Sequence, residues 1–298
     1  MTKLTTPLKV ACIGEAMIEL AFEGATPRVS FAGDTLNTAI YLRRSLKAAH
    51  SVSFFSVVGN DVFSQRMLDF ISDHGILTTN ISKHPNLLPG LYAIDTAPDG
   101  ERSFLYWREN SAARTLFEAG FSALEGFDVI YFSAITLAIL PKVVRDGFMD
   151  WLASCGKTIV FDSNYRPKLW PDTATAQSSV EAAWRLADIG LPSVDDEMAL
   201  FSDESEQDVI ARLTQWGLNF GALKRGSRGP RSIATESVQQ PVYQKAHSVV
   251  DTTAAGDSFN GAFLGSYFQN SNIAKALVDG HNCSLKVIAH KGAITPTR

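Results

Sequence analysis

The stretch "DTTAAGDSFNGA", residues 251–262, places a lone carboxylate, Asp257, behind Ala254, Ala255 and Gly256 and ahead of an apolar run. Small residues before a helix let backbone N–H groups come close to a ligand. A helix N-terminus also carries partial positive charge, so the arrangement suits an anion such as phosphate. Asp257 would sit in the first turn beside that anion. There it could accept the proton of a hydroxyl attacking phosphorus. The same residues also fit a plain helix start, with the acid merely stabilising the first turn.

Other stretches carry chemistry of the same kind. In "FLYWREN", residues 104–110, strand alternation puts Tyr106 and Arg108 on one face. An arginine beside a phenol can hold a carboxylate by two parallel hydrogen bonds. The alternative is a strand with a surface arginine and a packed Trp107. "FDSNYRPKLW", 161–170, follows a buried strand, and its loop should lie at the strand's C-terminal end, where open α/β sheets bind ligands. "FAGDTLNTA", 31–39, reads by itself as a turn plus a helix cap from Asp34 or Thr35. "LKRGSRGP", 223–230, is a glycine-containing loop after a strand, a weak signal alone. Neither a G-x-x-x-x-G-K-[ST] loop nor a G-x-G-x-x-G fingerprint is present, and no His or Cys pair has metal-ligand spacing.

The elements that must position these residues alternate along the chain. "LKVACIG", "SVSFFSVVG", "FDVIYFSA", "KTIVFDSN" and "FGALKRG" read as buried strands. "TLNTAIYLRRSL", "VFSQRMLDFISDHG" and "PKVVRDGFMDWLASCG" have helical spacing, and two more helices are expected near 256–270 and 272–289. That order predicts an α/β fold, a mostly parallel sheet with helices on both faces. "GLYAIDTAPDGERSFLYWREN" differs: two alternating segments joined by "PDG" predict a hairpin, with partners near 17–31. A small sheet built from segments near 15–31 and 90–109 would form a lid on a single domain spanning 1–298. The acidic "SDESEQD", 202–208, reads as a solvated loop and helix start.

Composition bounds the function. With 45% hydrophobic and 19% charged residues, a large core is expected. A net charge of -4 gives no sign of a nucleic-acid or membrane surface. Cys12, Cys155 and Cys283 are scattered and read as free thiols in a reducing cytosol. "MTKLTTPLKV" has no apolar core of signal-peptide length, and "VIYFSAITLAIL" is too short to span a bilayer, so a cytoplasmic protein is expected.

"DTTAAGDSFNGA" resembles the C-terminal signature of the ribokinase-like (PfkB-type) carbohydrate kinases, and the resemblance runs from "IGEAMIEL" to "KGAITP". It implies a ribokinase-like doubly wound sheet with a β lid. It also implies a kinase using ATP and Mg²⁺, with Asp257 as catalytic base and Ala254, Ala255 and Gly256 in the anion hole. Gly33 and Asn37 match the family's sugar-binding motif. Asp34 and Thr35 stand where small residues are common, and the Gly33, Asp34, Thr35, Leu36, Asn37 run resembles the branch that phosphorylates 2-dehydro-3-deoxygluconate. In that branch Tyr92, Tyr106, Trp107, Arg108 and Arg166 match substrate contacts, with Arg108 meeting the acid group. Asn164, Tyr165 and Arg166 match its "NYR" near the nucleotide, and Lys224, Arg225, Gly226, Ser227, Arg228 and Gly229 match the nucleotide loop. Pro230 departs from a family that often continues into a strand there. Asp196 and Glu197 lie where the family has an Asn-x-x-Glu segment linked to magnesium, although they fit a helix cap and its solvated first turn equally. The resemblance implies a sugar acid and ATP as ligands and leaves room for a homo-oligomer formed through the lid. A neutral-sugar kinase, or an inactive sugar-binding sensor on the same fold, stays open.

Overall fold

The computed structural model describes residues 7–23, 26–96, 102–202, 205–233 and 240–296. The expected "PDG" turn at 98–100 lies outside them, as do Asp203 and Glu204 of the acidic loop. The first half of the chain forms β1 (Lys9–Ile13), β2 (Met17–Glu23), β3 (Thr26–Ala32), α1 (Asp34–Ser45), β4 (Ser51–Val58), α2 (Val62–Asp73), β5 (Ile81–Lys83), β6 (Gly90–Thr96) and β7 (Arg102–Trp107). There follow β8 (Val129–Ser133), α3 (Ala134–Ile139), α4 (Lys142–Ser154), β9 (Thr158–Asp162), α5 (Thr173–Leu186) and β10 (Ile189–Gly190). The remainder forms α6 (Val194–Phe201), α7 (Glu206–Gln215), β11 (Ala222–Leu223), β12 (Arg231–Ser232), α8 (Ala255–Asn270) and α9 (Ile273–Ile288).

The large sheet has the order β10-β9-β8-β1-β4-β5, and every pairing in it is parallel. Its four central strands, β9, β8, β1 and β4, are largely apolar on both faces because both faces are covered, whereas the edge strand β5 is partly exposed. In β8, Ile130 and Phe132 enter one apolar cluster, with Phe148 of α4 and Trp184 of α5. Val129 and Tyr131 enter the other, with Leu36 and Ile40 of α1 and Phe263 of α8. The α1–α8 contact is close: a Cβ on Gly261 would lie 2.6 Å from the Thr38 carbonyl oxygen and the Leu42 nitrogen. Only glycine fits there, and that approach sets the distance between the first turns of the two helices.

The small sheet has the order β3-β2-β6-β7, with β2–β6 parallel and the outer pairs antiparallel. The expected hairpin is the β6–β7 pair, and its partners are β2 and β3. The strand expected at "FGALKRG" is shorter than read, only Ala222–Leu223, and it pairs with β12 just beyond Pro230. No helix among the described residues is long and apolar enough to cross a membrane, and the three cysteines are free.

Candidate active site

Site residues gather where β1, β8 and β9 end. The start of α8 contributes the anion-ready backbone. Ala254 holds a left-handed conformation (φ 60°, ψ 17°), a strained position for a residue with a Cβ. The Ala255 N–H donates to the Thr252 carbonyl at 3.2 Å, and the Ser258 N–H donates to the Ala254 carbonyl at 2.8 Å. Between them, the N–H groups of Gly256 and Asp257 have no backbone acceptor among the described residues. The loop is pinned from behind by the Asp251 carboxylate, which accepts from the N–H of Thr253 (2.9 Å) and of Gly292 (2.7 Å). Lys224 Nζ stands over the same turn, 3.7 Å from where a Gly256 Cβ would be, and donates to Asp162 Oδ1 at 2.6 Å. Unpaired donors at a helix start beside an ammonium form an anion site.

The Asp257 carboxyl is held by Asn37 of α1, whose Nδ2 donates to Oδ2 at 2.8 Å. Burial, with the charges of Asp34 and Asp162, pushes its pKa up to about 7, against the pull of Asn37 and Lys224. A carboxylate tuned upward in this way accepts protons better near neutral pH. The two neighbouring acids are themselves anchored. Asp34 accepts from the Ser133 hydroxyl and from Asn164 Nδ2 at 2.9 Å. Asp162 accepts from Lys224 and, at 2.7 Å, from Asn260 of α8. Tyr131 links this group to α1 through Thr38 at 3.1 Å.

The expected sugar-side residues divide. Gly33 passes against the Glu15 carbonyl, which a Cβ would approach to 2.1 Å. Thr35 and Leu36 are fully buried, Leu36 in the core and Thr35 packed over Gly14 with no hydrogen-bond partner for its hydroxyl among the described residues. Tyr92 is buried, donates its hydroxyl to Glu19 and stacks on Tyr106 at 5.7 Å between ring centroids. Trp107 is exposed. The common face expected for Tyr106 and Arg108 holds: Tyr106 stacks on its cross-strand partner Tyr92, and Arg108 Cβ lies against Gly90, two residues before Tyr92 on the same face. β7 itself ends at Trp107, and Arg108 is buried in an ion pair with Glu15 while Tyr106 stays exposed.

On the nucleotide side, Tyr165 packs in the core and Asn164 bonds Asp34. Arg166 reaches Asp196 Oδ1 at 3.4 Å. Gly226–Arg228 form a short 3-10 turn between β11 and β12, with Ser227 at its centre and Gly229 after it. Arg225 and Arg228 are tied to Glu206 at 3.1 and 2.9 Å. Glu197 is corrected as a metal contact. It is fully buried, accepts from Trp184 Nε1 (3.1 Å) and Arg212 (2.9 Å), and burial pushes its pKa up to about 7. Asp196 faces the site, its pKa raised by burial. Among the described residues no cluster of three or more His, Cys, Asp or Glu could cage a metal.

Ser133, Asp162, Asn260, Glu15 and Glu19 were not singled out from the sequence. Asp162 had a signal, an acid at the C-terminal end of a buried strand. The others had none, because Ser133 is one hydroxyl in an apolar run and Glu15 gains its meaning only from Arg108.

Residues 7–298 match the family described as pfkB family carbohydrate kinase. The chain is 39% identical over 300 residues to the 2-dehydro-3-deoxygluconokinase of Escherichia coli (strain K12), covering 97% of both chains. It is 40% identical over 298 residues to that of Haemophilus influenzae, covering 96% of this chain and 95% of the relative. Among solved structures, the Vibrio cholerae O395 fructokinase in its fructose, ADP and calcium ion bound form superposes with a TM-score of 0.82. It is 22% identical, with 97% of this chain and 95% of the other covered. Full-length similarity at that level, together with a helix-start carboxylate beside free backbone donors, makes this chain a member of the pfkB family of carbohydrate kinases.

Proposed function

We propose that the chain is an ATP-dependent 2-dehydro-3-deoxygluconokinase, converting 2-dehydro-3-deoxy-D-gluconate to its 6-phosphate. The observation that carries the chemistry is the half-buried Asp257 carboxyl, held by Asn37 at the open N-terminus of α8. Asn37 holds Oδ2, leaving Oδ1 to take the proton of the attacking hydroxyl. The N–H groups of Gly256 and Asp257 and the Lys224 ammonium stabilise charge on the phosphoryl group in transit. The donor's phosphates fit this cradle, and the turn from Lys224 to Gly229 is the chain's candidate seat for the nucleotide. A magnesium ion bound with the nucleotide would neutralise phosphate charge. Asp196 is the acid placed to meet such an ion through water, which suits an ion that keeps several waters.

Arg108 supports the sugar acid over a neutral sugar. Its side chain is buried on the sheet face that carries Tyr92 and Tyr106 and is ion-paired with Glu15, whose carbonyl passes against Gly33 at the start of α1. A charge-assisted hydrogen bond contributes about 1.5–3 kcal/mol, or on the order of ten- to a hundred-fold in kcat/KM. Arg108→Ala is therefore expected to lose about that much on the sugar acid, with Arg108→Lys recovering only part, and to change residual turnover of fructose little. An equal loss on both substrates would favour a neutral-sugar kinase. A catalytically silent sugar-binding sensor on the same fold would release no ADP with either sugar.

We also propose that two copies meet through the small sheet. Its outermost strand β7 exposes Leu105, Tyr106 and Trp107 in succession, an apolar stretch at a sheet edge of the kind that self-association covers. Light scattering at micromolar concentration is expected to give a dimer mass, reduced to a monomer's by Leu105→Lys. A monomer for the unmodified chain rejects this.

A further inference from the structure

The Arg108 guanidinium does not stand alone. Its NH2 meets Glu15 Oε2, and the two side chains are 7% and 0% exposed. Glu15 lies in the connection from β1 of the large sheet to β2 of the small one. Arg108 lies where the chain leaves β7 on its way back to the large sheet. The pair therefore clips together two of the crossings between the two sheets, β1 to β2 and β7 to β8. Space for it comes from Gly90, at which a Cβ would lie 2.4 Å from Glu15 Oε1 and 3.1 Å from the Arg108 Cβ. The contact uses one end of the guanidinium. Arg108 Nε and Glu15 Oε1 are both buried and carry no hydrogen bond.

A buried arginine without a counter-ion is costly, and its long side chain has many rotamers to choose from. A carboxylate locked on one edge removes both problems and leaves other donors of the planar fork aimed in a fixed direction. We propose that Glu15 is the positioning residue for Arg108: it holds the guanidinium by one edge so that the remaining donors meet the substrate carboxylate. This rests on the sugar-acid reading above. Glu15 touches no reacting atom, and it acts on substrate binding through Arg108 alone. Gly90 is the third part of the device, since any side chain there would push the two apart.

The test is a double-mutant cycle read on KM for 2-dehydro-3-deoxy-D-gluconate, with KM for ATP as the internal reference. Glu15→Ala is expected to raise the sugar-acid KM about tenfold, leave the ATP KM within about twofold, and add little further loss in the Arg108→Ala background. Glu15→Gln, which keeps the shape and an acceptor oxygen, is expected to restore most of the binding and to keep the chain folded where alanine does not. Additive losses in the double variant overturn the inference, as does a Glu15→Gln variant as poor as alanine or an equal rise in both KM values. If Arg108→Ala shows no selective loss on the acid, the sugar-acid reading falls and this inference with it. If Arg108→Ala is selective but Glu15 does not couple to it, only the positioning role falls.

Discussion

Asp257→Asn is expected to lower kcat by roughly 10²- to 10⁴-fold, the range for removal of a general base, while nucleotide binding is largely kept. The substitution preserves the Asn37 contact geometry in size and polarity and removes only the proton acceptor. Steady-state ADP release and nucleotide titration check the two halves, and near-normal kcat would remove Asp257 from the mechanism. The parent should also show the base in its pH profile. With the carboxyl raised to about 7, kcat/KM falls about tenfold per pH unit on the acid side of that value. Stability moves the other way. An unfolded aspartate titrates near 3.9, so a folded value of about 7 means that folding favours the protonated form. The stability associated with that proton is complete below the unfolded value and is lost as pH rises through about 7. The asparagine variant, which never ionises, should therefore gain more in Tm over the parent at about pH 8 than at about pH 5. An inactive variant that is also more stable at high pH is the signature of a functional carboxylate kept at a cost to stability.

Gly256→Val should abolish most activity while the chain stays folded. The nearest atoms to a Cβ at this position are Lys224 Nζ at 3.7 Å and Cδ at 3.8 Å, ordinary van der Waals contact. Nothing in the protein resists the first carbon. The branched methyls, however, would project between the Lys224 ammonium and the free N–H groups of α8, the space assigned to the phosphoryl group. Thermal unfolding close to the parent's, with turnover reduced by on the order of 10²-fold or more, is the expected pair of results, by analogy with the loss of oxyanion donors. A folded, fully active valine variant would move the phosphate site elsewhere.

Local signals in the chain were enough for the four central strands of the large sheet, β9, β8, β1 and β4, but not for the short edge strands β10 and β5, and the strand read at "FGALKRG" lies outside that sheet. Runs such as "VIYFS" are apolar at every position, which only a strand covered on both faces tolerates. The small residues ahead of Asp257 marked a helix start with room for an anion, since that signal resides in consecutive residues. α5 was not legible. "TATAQSSVEAAWRL" carries good helix formers, but its buried stripe is only Ala176, Val180, Ala183 and Trp184, mostly small residues that leave the apolar period faint.

Contacts between distant parts of the chain were decided by the tertiary structure alone. Asp195, Asp196 and Glu197 are adjacent, but successive helix positions rotate by about 100°, so Asp196 faces the site while Glu197 turns into the core to meet Trp184 and Arg212. Arg108 looked free because its counter-ion, Glu15, lies on another strand connection far up the chain. The sequence by itself determined that Asp257 stands at a helix start behind small residues, because that is a property of neighbours in the chain. Its raised pKa comes from folding, which buries it, sets Asp34 and Asp162 near it and brings in Asn37 from 220 residues away. Charge–charge and desolvation energies depend on distance through space, which only the packed sheet and the α1–α8 contact define.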